Sequence, residues 1–246
     1  MKSGILTLLL LIAGVTTSFA HYMWLETSAS GKLNSAHEVK VRFGEYTYGV
    51  IEEVNGDAFQ SVSDFKLWLV LPDGSKKGLD VQAKDNYYLA TFVPSQEGVY
   101  TLALDNKNMK VLDYSQYDMG IMKPQYHVKA KVVVGQSFSP LESTNPEGIE
   151  IIDHSKSAYA VNGEVKLQIL FQGKPLPENE VSIYMTDLWT KKLWTDGNGM
   201  VSFTLPWDQL YTVEATYDEN TPGSFNQHAY EYIWHCATYS LMPLKN

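Results

Sequence analysis

Apolar and polar residues alternate with period two through most of this chain, and helical periodicity is nearly absent. Val39, Val41 and Phe43 alternate with Lys40 and Arg42, the pattern of a strand with one face buried. Phe65 to Leu71 is a more continuous apolar run, closed by the turn signal Pro72-Asp73-Gly74. Leu89 to Val93, Pro94 to Gly98 and Val99 to Leu104 read as strand, turn and strand. Val128, Ala130, Val132 and Val134, set against Lys129 and Lys131, make a further strand that begins near His127. Glu45 to Asp57 is polar, carries four acids, and reads as a long solvated loop.

The alternation breaks at residues 136–148, rich in Ser, Pro, Asn and Gly, and then resumes. Val165, Leu167, Ile169 and Phe171 form one strand, and Val181, Ile183 and Met185 another. The hairpin Asp196-Gly197-Asn198-Gly199 leads into Val201, Phe203 and Leu205. In the last strand Tyr232, Trp234 and Cys236 share one face and Ile233, His235 and Ala237 the other. The pattern predicts an all-β protein: two immunoglobulin-like antiparallel β-sandwiches, 21–135 and 149–246, joined by a linker at 136–148. Trp24 and Trp234 are expected in the cores.

Residues 1–20 stand apart. Lys2, an apolar stretch from Ile5 to Val15, and Ser18-x-Ala20 have the layout of a cleaved signal peptide, which makes His21 the first mature residue. The apolar stretch is short for a bilayer span, so membrane insertion is not expected. A net charge of −9 without a basic stripe argues against nucleic-acid binding. The single cysteine, Cys236, has no internal disulfide partner and reads as a small buried hydrophobe. A periplasmic or secreted location fits these features.

The candidate chemistry lies in histidine and methionine. A terminal His21 offers its α-amine, with an ordinary pKa of about 7.7 to 8.0, and its ring Nδ1, which together close a chelate on a metal ion. Signal peptidase also cuts after Ala20 whatever follows, so the position alone leaves both readings open. Tyr114 to His127 contains Met119, Met122 and His127, donors suited to a soft or borderline ion. Methionines and tyrosines equally fill a gap where a loop packs on a sandwich. A terminal chelate needs a further donor, for which His127 is the first candidate and His235 the second. His37 and His154 read as solvated, and His228 is open to either reading. No P-loop, G-x-S-x-G, H-E-x-x-H or paired CxxC occurs, so the commoner enzyme chemistries have no local signature and an enzyme is not the favoured reading.

Ala20-His21-x-x-Trp24-Leu25-Glu26, then Gly173-Lys174-Pro175-Leu176, Thr195-Asp196-x-x-Gly199 and a closing Ala237-Thr238 strand resemble the DUF4198 family. The resemblance implies a periplasmic protein of the kind grouped with cobalt and nickel transport. Members often carry Gly-His near the end of the second strand, where this chain has Gly44-Glu45. The expectation is a secreted metal-binding protein that assists nickel, cobalt or copper uptake or delivery, with a membrane transporter as partner. Two alternatives are a carbohydrate- or partner-binding sandwich without metal, and a copper oxidase built on the terminal histidine.

Overall fold

The structure is a computed structural model and describes residues 21–136, 143–155 and 159–244. The signal-peptide reading and the middle of the expected linker fall outside them. Among the described residues the regular structure is almost entirely strand, with one four-residue helix, Asp57–Gln60, and two short 3-10 turns.

A ten-stranded sheet runs through the middle of the molecule. Its centre is an antiparallel and parallel pairing around one long strand, Ile121–Val134. On one side this strand pairs with Gly98–Asn106, and on the other it runs parallel to the last strand, Tyr232–Leu241, in register from Met122↔Tyr232 to Ala130↔Ser240. The two halves of the sequence are therefore fused through a shared sheet as well as joined by the connecting segment. Tyr232–Leu241 continues into Tyr211–Glu219 and Glu180–Tyr184.

Successive side chains of a strand point to opposite faces, and here both faces are covered. A five-stranded sheet containing Tyr22–Thr27, His37–Glu45 and Tyr88–Phe92 packs on one face. Tyr126, Val128, Ala130, Val132 and Cys236 join the core beneath it, with Trp24 fully buried. A four-stranded sheet containing Ile149–Asp153, Glu164–Phe171 and Met200–Thr204 covers the opposite face. Val133, Ala237, Tyr239 and Leu241 join that second core. The central sheet is thus sandwiched between two smaller ones that are offset along it.

Polar positions that alternate with valine do not all reach water. Lys129 and Lys131 are buried on the second face, where Lys129 Nζ meets Glu150 Oε2 at 2.9 Å and Lys131 Nζ pairs with Asp153. Asp153 also accepts from the hydroxyls of Tyr159 and Tyr239. Burying such charges is tolerated because each is paired and hydrogen-bonded.

Three local expectations are corrected. His37 is buried, 7% exposed, with Nε2 at 2.8 Å from Thr27 Oγ1, and burial pushes its pKa below the ordinary histidine value. The stretch from Glu45 is no free loop: it forms a 3-10 turn at Tyr46–Tyr48 and a short strand at Val50–Ile51, and buries Val54. Trp234 is only partly buried, packed edge-on against Tyr126 at 5.7 Å.

Candidate functional site

The first cluster forms where the Tyr22–Thr27 strand begins. Its antiparallel register sets Tyr22 opposite Gly44, which puts His21 level with Glu45. Gly44 has φ +145, and a Cβ there would lie 2.2 Å from the Val50 carbonyl oxygen. Only glycine lets the chain fold back this closely, and the return places Val50 opposite Glu45 and Ile51 opposite Gly44. Glu52 N–H then donates to the Phe43 carbonyl at 3.0 Å. The outcome is an imidazole flanked by two carboxylates: His21 Nε2 lies 2.7 Å from Glu52 Oε1, and Nδ1 lies 3.1 Å from Glu45 Oε1. The ring packs on Phe43, the Tyr126 hydroxyl donates to the His21 carbonyl at 3.0 Å, and a third of the side chain, 33%, faces solvent.

A neutral imidazole that donates Nε2–H to Glu52 turns its Nδ1 lone pair toward Glu45, whereas an imidazolium would donate to both carboxylates. A lone pair facing a carboxylate is repulsive unless a proton or a cation lies between them. Two atoms bonded at about 2.1 Å to one ion, at right angles, stand roughly 3 Å apart, the separation observed. Among the described residues no group of three or more His, Cys, Asp and Glu side chains has metal-holding geometry.

The second cluster lies across the sheet. His127 and His235 are 4% and 2% exposed. His127 Nδ1 is 2.7 Å from Asp105 Oδ1, His235 Nε2 is 3.0 Å from Glu219 Oε2, and the inner nitrogens, His127 Nε2 and His235 Nδ1, are 3.5 Å apart. Burial pushes both histidines below their usual pKa, against the pull of the carboxylates. The segment preceding Ile149 roofs the pair: Asn145 is buried, donates to the Ile149 carbonyl at 3.0 Å and accepts from Lys107 Nζ at 3.0 Å.

Of the expected site residues, His127 and His235 are brought together and His21 is kept apart from them. Tyr126 reaches the His21 carbonyl, so the next residue, His127, faces the opposite side of the sheet. His127 therefore does not complete a chelate at His21. Met122 is buried with the Tyr126 face, and Met119 is exposed, its carbonyl accepting from the Tyr232 hydroxyl at 2.8 Å. The Met122 thioether therefore stands on the face opposite His127, and Met119 lies outside the strand. Glu45, Glu52, Asp105 and Glu219 were not legible as site residues. The Gly44-Glu45 dipeptide carried a signal, a glycine that turns the chain beside the start of the first strand.

The family model described as a domain of unknown function, DUF4198, matches residues 18–219. No curated protein matches the chain. Among solved structures, it is similar to Salmonella α-2-macroglobulin reacted with methylamine at 12% identity and TM-score 0.28, covering 92% of this chain and 15% of that one. A DUF4785 family protein from Legionella pneumophila gives 12% identity and TM-score 0.28, covering 81% and 54%. A two-domain fibronectin type-III segment of chicken tenascin gives 14% identity and TM-score 0.22, covering 86% and 95%. The chain spans well under two thirds of the first two, and likeness at this level does not extend to function.

Proposed function

This chain belongs to the DUF4198 family, and from that membership and the geometry at His21 we propose that it is an exported metal-binding protein. Cleavage after Ala20 frees the His21 amine, and the amine and Nδ1 chelate a nickel, cobalt or copper ion in the periplasm or outside the cell. Glu45 supplies the third donor. Glu52 holds the Nε2 proton and so keeps Nδ1 free, the role that carboxylates play behind ligating histidines. The observation that carries this reading is the imidazole between two carboxylates, with the Nδ1–Glu45 separation of 3.1 Å. Handing the ion to a membrane transporter fits the grouping of the family with cobalt and nickel uptake.

The test compares the mature protein with one extended by a single residue ahead of His21. Extension blocks the amine and leaves every side chain in place. Divalent nickel or copper, titrated calorimetrically, should bind at least tenfold more weakly to the extended protein and to Glu45→Gln. Equal titrations, with both termini checked by mass spectrometry, would sink the chelate.

A second reading draws on Trp194 and Trp207, 61% and 43% exposed, the latter edge-on to Trp189 at 5.4 Å. Exposed aromatic faces of this kind suit a glycan or a protein partner. Metal-independent retention on an immobilised glycan, lost in Trp207→Ala, would favour it.

A further inference from the structure

The buried array Asp105–His127–His235–Glu219 contains three polar contacts and, with neutral rings and ionised carboxylates, two protons to fill them. The outer contacts, at 2.7 and 3.0 Å, are ordinary hydrogen bonds, so the protons belong on His127 Nδ1 and His235 Nε2. The inner contact is then two bare nitrogens, 3.5 Å apart, lone pair toward lone pair. The rings are close to parallel, at 22°, and their centroids are 5.7 Å apart. That separation exceeds the nitrogen gap by about one ring width, so the two nitrogens face each other head-on. The gap is longer than a normal hydrogen bond, for which about 2.7–3.2 Å is usual.

We propose that His127 Nε2 and His235 Nδ1 form a second metal site, taking one monovalent copper ion between them. Imidazole is a natural ligand for copper, and of nickel, cobalt and copper only monovalent copper is at home with two donors placed head-on. A metal–nitrogen bond of about 2 Å fits the gap after the rings part by a few tenths of an ångström. Asp105 and Glu219 hold both tautomers in the ligating form. One positive charge takes the place of the missing proton, between the carboxylates of Asp105 and Glu219. Gly148 packs beside the pair. A Cβ on Gly148 would stand 3.2 Å from His127 Nε2 and 3.3 Å from His235 Nδ1, against 2.5 Å from Asn145 Nδ2. Glycine at this position thus keeps side-chain atoms off both inner nitrogens. The site is separate from the His21 chelate and does not depend on it.

The experiment uses the full mature sequence extended by one residue, so that the terminal amine is blocked, and adds monovalent copper anaerobically against a chromophoric chelator. One tightly held equivalent is expected, with X-ray absorption reporting two nitrogen neighbours. His127→Gln and His235→Gln should each weaken binding at least a hundredfold. Because either variant can lose its fold along with its ligand, Gly148→Ala in an Asn145→Ala background keeps both imidazoles and sets a methyl group against their inner nitrogens. It should weaken binding at least tenfold relative to Asn145→Ala alone, with the circular dichroism spectrum unchanged. No copper retained by the blocked protein, meaning a shared proton only, overturns the proposal. So does binding that is indifferent to the Gly148 substitution.

Discussion

Tyr126 donates its hydroxyl proton to the backbone carbonyl of His21 at 3.0 Å, and its chain neighbour His127 turns to the other face of the same sheet. One strand therefore positions both candidate sites while keeping them apart. Tyr126→Phe removes the donor and leaves the ring packing against Trp234 and Phe43 in place. Stability should fall by about 1 kcal/mol, the usual net value of one such bond, and divalent metal at His21 should bind more weakly. Urea unfolding and calorimetry read the two effects. An unchanged affinity would mean that this bond does not order the chelate.

The Lys131–Asp153 pair is a second test, because both groups are almost fully buried. Lys131→Met leaves the Asp153 carboxylate in the interior with two tyrosine hydroxyls and the Ser155 N–H as remaining partners. The expected cost is about 3–5 kcal/mol, whereas Lys131→Met with Asp153→Leu should recover much of it, since a well-packed apolar pair carries no desolvation cost. Chemical denaturation of the three proteins decides, and a double variant as unstable as the single one would contradict this account.

Trp24 and Trp234 should separate on truncation. Trp24 is 0% exposed and touches both Tyr22 and Tyr46, while Trp234 lies at the margin of the same core. Trp24→Ala is expected to cost about 3–5 kcal/mol, and Trp234→Ala distinctly less. Among the described residues the Trp24 indole N–H has no hydrogen-bond partner, so Trp24→Phe gives up volume without breaking such a bond and should cost less than the alanine change. Equal losses for the two alanine variants would show that Trp234 is a core residue after all.

Glu214 gives the pH dependence a sign. Burial, with Glu180 adding to it, pushes its carboxyl up to about 7, although Tyr184, Lys192 and Cys236 act in the opposite direction. The folded protein then binds a proton that the unfolded chain has already released above its own carboxyl pKa of 4.5. The contribution to stability is full below pH 4.5 and is lost as pH rises through about 7. Glu214→Gln cannot titrate. Its unfolding free energy minus that of the wild type should therefore rise between pH 5 and pH 8, in denaturant melts at fixed salt. His37, lowered by burial, works the other way in both proteins and cancels in the difference.

The sequence by itself determined that the chain is built of strands, where most of them lie, and that Trp24 and the apolar members of the alternation are core. Those properties follow from period two, which is local. It could not say what covers the second face of a strand. Lys129 and Lys131 alternate with valine just as solvated lysines do, yet a second sheet lies over them and supplies Glu150 and Asp153. The candidate sites depend still more on distant pairing. His127 and His235 are named readily as potential ligands, but they meet because Ile121–Val134 and Tyr232–Leu241 run parallel in one register, and a slip of one residue would turn either ring to the other face. His21 was legible from its place after Ala20. Its partners Glu45 and Glu52 were decided by the fold alone, because only a backbone reversal at Gly44, closed by hydrogen bonds that no local pattern announces, brings two acids of an apparent loop against the ring.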